Sequence, residues 1–223
     1  MGCKATADVV VTGFDRQHRV GGRFPVVRCR DCGLLRTTPR PTRQTIAAYY
    51  PASYAPYQRC PARIHASRTP RRGPRGALVR LADPRSEWTP DLAPGRMVEF
   101  GCSSGVFMQF MAAKGWRVTG IEPSPDASAR AREAGLDVLT GSLEEAPNPP
   151  GPAQLVVGWM VFEHLHDPRL ALARFRDWVA PDGWLALSVP DCGGLEARAF
   201  ATPGGRSTSR GTCSTTHRPH SPD

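Results

Sequence analysis

Met97-Val98-Glu99-Phe100-Gly101-Cys102-Ser103-Ser104-Gly105 decides how this chain folds. A short, mostly apolar run enters a turn with two glycines, and an apolar-periodic segment begins directly after it. The pattern predicts a buried strand, a tight turn and a helix. The next apolar run, Val118-Thr119-Gly120-Ile121, ends at Glu122. An acid about twenty positions after a glycine turn is what a ribose site needs: small residues let a ligand approach the backbone, and a carboxylate accepts from both ribose hydroxyls. A nucleoside cofactor is the expectation.

Outward from that stretch the chain alternates. Ser124-Pro125 reads as an N-cap with proline at the first helical position, and Gly135 closes that helix. Residues 136–140 read as a third strand and Leu155-Val156-Val157 as a buried fourth. Asp167-Pro168 opens a helix running to about Ala180, Pro181-Asp182-Gly183 is a turn, and Trp184 to Val189 is a fifth strand. Strands alternating with helices imply parallel pairing with right-handed crossovers. The expected fold class is therefore α/β, a Rossmann-like, mostly parallel sheet of about five strands. Ligands of such sheets bind at the strands' carboxyl ends. Glu99, Gly101, Glu122, Ser142 and Trp159 all fall there.

A dinucleotide site asks for Gly-x-Gly-x-x-Gly with the pyrophosphate on the helix N-terminus. Here Ser103 stands between Gly101 and Gly105, and Glu99 precedes them; a carboxylate there opposes a pyrophosphate and suits a cation. The segment resembles the first motif of class I S-adenosylmethionine-dependent methyltransferases, acid-x-Gly-x-Gly-x-Gly, with Ser103 in place of the middle glycine. Glu163-His164-Leu165-His166-Asp167-Pro168 and the run from Pro181 to Pro190 resemble later parts of the same superfamily, so the likeness covers about residues 91–200. It implies S-adenosylmethionine as cofactor. Glu99, Gly101, Ser103 and Gly105 would shape the methionine end, Glu122 would hold the ribose, Ser142 and Leu143 would flank the adenine, and Trp159 would lie near the methionine or the acceptor. Some relatives use an imidazole after the fourth strand as a base, which makes His164 the candidate, since imidazole titrates near neutrality. The plainer alternative is that Glu163 and His164 brace the loop. A Glu-x-x-Glu-His metal pattern is interrupted by Met160. Gln154 stands where the family often has Asp.

The front of the chain reads differently. Cys29-Arg30-Asp31-Cys32-Gly33 is a Cys-x-x-Cys-Gly knuckle, and two thiolates at that spacing can grip one side of a tetrahedral zinc. With Pro39, Pro41, Tyr49 and Tyr50 it resembles the small zinc module that precedes the catalytic domain in some bacterial sugar and small-molecule methyltransferases. That module expects a second Cys pair upstream, where this chain has only Cys3. The expected organisation is a knuckle-like module over 1–50, an Arg/Pro-rich linker over 51–90 (a flexible connection, with a lid helix around Ala77 to Ala82 as the alternative), a cofactor-binding domain over 91–200, and a tail over 201–223.

Charge divides the same way. Residues 1–90 hold 17 basic and 5 acidic side chains, and residues 91–200 hold 9 and 14. Nearly all the bases are Arg in an Ala/Gly/Pro-rich context, with no aromatic-interleaved basic strand, so a solvated surface is expected and nucleic acid is not. Seven cysteines without a signal peptide point to a reducing, cytoplasmic setting, and no apolar run is long enough for a membrane. After Phe200 apolar periodicity stops, and the tail is expected to form neither strand nor helix. Read in a shifted frame, it permits a segment resembling the one after the fifth strand in relatives with the zinc module, so a frameshift near Phe200 is expected. The function expected is methyl transfer to a small-molecule or sugar-type acceptor. The alternatives are a non-catalytic zinc-knuckle interaction protein and a nicotinamide-dependent oxidoreductase. Neither the acceptor atom nor the oligomeric state is readable.

Overall fold

A computed structural model describes residues 6–15, 21–51, 54, 56–57, 90–190 and 212–217, the last as backbone alone. The chain forms two compact units, Met1–Tyr54 and Ala55–Asp223. Most of the linker, including the stretch Ala77 to Ala82 where a lid helix is the alternative to a flexible connection, lies outside the described residues.

The first unit is a three-stranded antiparallel sheet of β1 (Ala7–Gly13), β2 (Phe24–Cys29) and β3 (Leu35–Thr37), with β2 in the middle. A 3-10 turn at Ile46–Tyr49 comes next, and the Tyr49 ring stands edge-on to Phe24 at 5.8 Å. The knuckle joins β2 to β3. Gly33, at φ 72°, donates from its N–H to the Cys29 carbonyl at 3.0 Å, and the Cys29 N–H donates to Leu34 O at 2.9 Å.

The second unit holds a six-stranded sheet ordered β6-β5-β4-β7-β8-β9. Its strands are β4 (Arg96–Phe100), β5 (Arg117–Glu122), β6 (Asp137–Thr140), β7 (Ala153–Trp159), β8 (Val179–Pro190) and β9 (Thr212–His217); its helices are α1 (Val106–Ala112), α2 (Pro125–Glu133) and α3 (Pro168–Trp178). β4 to β8 pair in parallel. The α/β, Rossmann-like expectation is thus met. β9 pairs antiparallel with β8 from Leu185↔His217 to Pro190↔Thr212, so the tail, expected to form no strand, supplies a sixth. Successive polar residues can still complete a backbone ladder when a neighbouring strand offers its free edge.

The pleat explains the two-sided burial. Val98 and Phe100 of β4 and Val156 of β7 join a core with Phe175 and Trp178 of α3. The alternate residues Met97, Leu155 and Val157 pack with Phe107 and Met111 of α1. Met108 of α1 and Ala131 of α2 close a third cluster with Cys102, Leu136 and Val138. The helix starts obey their caps. Ser124 Oγ accepts from Ala127 N at 3.3 Å, and Asp167 Oδ1 accepts from the N–H groups of Arg169 and Leu170, both at 3.1 Å.

Two boundaries differ from expectation. α3 ends at Trp178, and residues 181–183 do not break β8. Register passes from Ala153↔Val179 to Leu155↔Trp184, so the extra residues form a bulge. Gly183 permits it, since a Cβ there would lie 2.7 Å from the Ala153 carbonyl oxygen. Among the described residues no helix is long and apolar enough to cross a membrane.

Packing at the centre of the sheet is tight. The Phe100 ring lies 4.5 Å from that of Phe175, and a Cβ on Gly158 of β7 would stand 2.0 Å from Phe100 Cζ. Gly158→Ala is expected to lower the unfolding free energy by about 1–3 kcal/mol, measured by urea denaturation, because the ring has no room to retreat.

Candidate functional site

β4, β5 and β6 run to one side of the sheet and β7 and β8 to the other, so connectivity reverses between β4 and β7. That is where the carboxyl ends of an open parallel sheet leave a crevice. The turns after β4, β5, β6 and β7 meet around it.

Glu122 ties the first two together. Its Oε2 accepts from Ser103 N at 2.8 Å and its Oε1 from Ser124 N at 2.9 Å. The residue is 3% exposed; burial raises the pKa of its carboxyl, and the two amides pull it back down. Each oxygen keeps a lone pair for a further donor. Gly141 N donates to the Glu122 carbonyl at 3.0 Å, which attaches the turn after β6. Glu99 is buried at the end of β4. The Cys102 thiol is driven well up by burial and then by the charges of Glu99 and Glu122, so Cys102 stays neutral.

The glycines act differently from the simplest expectation. Gly101 (φ 66°) and Gly105 (φ 80°) are left-handed, as a tight turn requires. The space their missing side chains leave is filled by protein: a Cβ at Gly101 would stand 2.5 Å from Val161, and one at Gly105 2.2 Å from Leu136. They draw the turn after β7 and the end of α2 inward, and open no room for a ligand themselves. Ser103, where the motif usually has glycine, takes φ 54°, and Met160 takes φ 56°. These are the two positive-φ non-glycine residues among the described ones, and they sit at the ends of β4 and β7. Met160 N is held by the Ser188 carbonyl and by Ser188 Oγ, both at 3.0 Å. Strain held in place by neighbours and gathered at one crevice points to a functional site.

Several polar atoms there are buried without a hydrogen-bond partner among the described residues: Ser103 Oγ, Ser142 Oγ, Trp159 Nε1 and Glu163 Oε2. A buried polar group without a partner costs about 1–3 kcal/mol, so such a cluster is built for something that supplies the partners. Three of the four were legible as site positions from sequence. Trp159 stands edge-on to Phe107 of α1 at 5.3 Å, which fixes its indole. Leu143, by contrast, is 4% exposed and packs in the core with Phe100, so its side chain anchors the turn. Upstream, Ser104 Oγ donates to Pro56 O at 3.4 Å and Arg130 donates to Tyr57 O at 2.8 Å, so residues 56–57 lie against the turn after β4 and against α2.

Glu163 and His164 lie after β7 on a 3-10 turn, Phe162–His164. His164 is half exposed, and its Nε2 lies 3.7 Å from Glu163 Oε1. From sequence, Glu163 reads only as a brace. Burial pushes its carboxyl up to about 7, against a weaker lowering by its own backbone amide, so it titrates near neutrality. An acid directly before a histidine in that loop was the available signal.

In the knuckle, Cys29 is buried and Cys32 exposed. Among the described residues no group of three or more His, Cys, Asp or Glu is placed to hold a metal. A separate recess of about 380 Å³ lies at the opposite, amino ends of β4, β5 and β6, lined by Arg96, Arg117, Thr119 and Asp137 among others. Its lining includes none of Glu99, Ser103, Glu122, Ser142, Trp159, Glu163 and His164.

The methyltransferase-domain family matches residues 71–218. Curated relatives include the C-methyltransferase NovU of Streptomyces niveus, 29% identical over 99 residues, covering 42% of this chain and 24% of that protein. Trans-aconitate 2-methyltransferase of Mycobacterium tuberculosis is 29% identical over 97 residues, covering 43% and 37%. A ubiquinone biosynthesis O-methyltransferase of Thiobacillus denitrificans is 31% identical over 115 residues, covering 47% and 50%. The chain thus spans about a quarter to a half of the length of these relatives. Among solved structures, the plantazolicin methyltransferase BpumL, in complex with a triazolic desmethylPZN analog and SAH, aligns at TM-score 0.46 and 12% identity, covering 60% of this chain and 50% of that one.

Glu163 gives a pH test. The folded carboxyl titrates near 7 and the unfolded one near 4.5. Between those values the unfolded state has lost its proton while the folded state keeps it, so stability falls as pH rises through that window. Glu163→Gln is expected to flatten the fall in melting temperature between these pH values, as followed by calorimetry.

Proposed function

The chain belongs to the methyltransferase-domain family, of the class I S-adenosylmethionine-dependent type, and from that premise we propose that it transfers a methyl group from S-adenosylmethionine to a small-molecule acceptor, sugar-type compounds included. The observation that carries this reading is the set of unpartnered buried atoms, Ser103 Oγ, Ser142 Oγ and Trp159 Nε1, at the ends of β4, β6 and β7 around Glu122. These groups fit a ligand that brings hydroxyls, an amino-acid end and a heterocycle. Glu99 at the end of β4 favours a positive charge there and opposes a pyrophosphate, which sets the nicotinamide alternative aside.

When bound, S-adenosylmethionine supplies a methyl carbon made electrophilic by its sulfonium. The remaining work is the chain's own. Ser103 and Glu99 orient the amino-acid end, and Gly101 and Gly105 hold that turn in shape. Glu122 accepts from the ribose hydroxyls on the lone pairs left by Ser103 N and Ser124 N. The Ser142 turn walls the adenine, and Trp159 covers the methionine side and excludes water. His164, with Glu163 beside it, takes a proton from the acceptor where the nucleophile needs deprotonation. The sheet from β4 to β9 with its helices forms the cofactor domain, and the knuckle-like module precedes it in sequence.

Calorimetric titration with S-adenosylhomocysteine tests this reading. Binding in roughly the micromolar range is expected. Trp159→Phe and Ser142→Ala should each weaken it about three- to tenfold, with melting temperature unchanged or raised, since each removes an orphaned polar atom. Glu122→Gln should abolish it. Absence of binding by a well-folded wild-type sample would contradict the proposal.

A further inference from the structure

The turn that carries Ser142 has little of its own to hold it. Within it, Glu145 N and Ala146 N donate to Ser142 O at 3.0 and 2.8 Å. Beyond it come Pro147, Pro149, Pro150 and Pro152, which have no N–H to donate, so the loop to β7 has few bonds of its own, such as that from Gly151 N to Pro149 O at 2.7 Å. Its Pro150 carbonyl is met by Arg96 of β4 at 2.9 Å, and its acceptors nearest Ser142 are met from α3. Arg174 donates from one terminal nitrogen to the Leu143 carbonyl, and from the other to the Ala146 carbonyl at 2.5 Å and to Asn148 Oδ1 at 3.0 Å. Trp178, one helical turn on, donates from Nε1 to the same Asn148 Oδ1 at 3.1 Å, and the guanidinium lies 5.0 Å from the centre of its ring.

One rigid planar fork thus bridges both ends of the turn and the loop beyond, with its plane fixed by a buried indole. Lysine could not reproduce this, having a point charge in place of a fork. Leu143 is locked in the core beside Phe175 of the same helix, so side-chain packing and the guanidinium fix the turn together. In the turn they fix, Ser142 Oγ is buried and unpartnered among the described residues.

We infer that Arg174 is a positioning residue, which through the Leu143 and Ala146 carbonyls and Asn148 holds the Ser142 turn as the wall that recognises the cofactor's adenine. The inference rests on the methyltransferase reading proposed above. It extends that reading to a helix on the far side of the loop, whose side chain does not touch the ligand.

The test is calorimetric titration of the full chain with S-adenosylhomocysteine and, in parallel, with S-inosylhomocysteine, which differs only in the base. Wild type should prefer the adenine compound. Arg174→Lys should lose about tenfold in affinity for it, the scale of one charge-assisted hydrogen bond, and much less for the inosine compound, so the preference shrinks. Asn148→Ala, which leaves both carbonyl contacts in place, should shift the preference the same way by less, and it serves if Arg174→Lys fails to fold. Equal losses for both compounds would mean a merely structural role and would overturn the inference, as would an unchanged preference. If wild type binds neither compound, the methyltransferase reading fails and this inference falls with it. If wild type binds both and the variants match it, only this inference fails.

Discussion

Two hydrogen bonds to one buried carboxylate hold the functional end of this protein together. Glu122 accepts from Ser103 N with one oxygen and from Ser124 N with the other. The first fixes the turn after β4 in a conformation that costs a non-glycine residue strain. The second fixes the entry to α2, whose cap Ser124 then completes. Both turns border the crevice. Burial works against the charge while the amides favour it, so the carboxylate stays useful only while both amides remain in place.

The other walls of the crevice are set from that bridge. The order of connection reverses between the parallel neighbours β4 and β7, and Val161 fills the space beside Gly101, which pulls the turn after β7 against the turn after β4. Trp159 is then set against Phe107, and Met160 is held in its strained conformation by Ser188 of β8. On the other side, Gly141 hangs from the Glu122 carbonyl and Arg174 secures the rest of that turn. The hydrophobic faces of the sheet give stability, and the polar atoms they leave unpartnered are concentrated at the ligand edge. A fold that pays for such atoms there gains affinity when a ligand completes them.

Much of this was legible in the sequence, for identifiable reasons. Strands buried on both faces read as continuous apolar runs, as in Met97–Phe100 and Leu155–Val157, and Ser124-Pro125 and Asp167-Pro168 are local signals that tertiary context left intact. Glu99, Ser103, Glu122, Ser142 and Trp159 could be placed because a parallel sheet puts strand ends on one edge. What could not be read depended on neighbours distant in sequence. That Gly101 and Gly105 make room for Val161 and Leu136, that Leu143 belongs to the core, and that Arg174 reaches back 31 residues to the Leu143 carbonyl are all facts of packing. The bulge that carries β8 through residues 181–183 looked like a turn because Pro-Asp-Gly ordinarily is one. The strand at 212–217 is made by β8's open edge, which no local pattern announces.

Hydrogen exchange read out by mass spectrometry, with and without S-adenosylhomocysteine, addresses the whole site at once. The ligand is predicted to slow exchange at four stretches together: the turns after β4 (101–105), β5 (122–124), β6 (141–146) and β7 (159–164). Protection confined to the knuckle or to the recess at the amino ends of the strands, or no protection in a folded sample, would contradict the placement of the cofactor at the switch point.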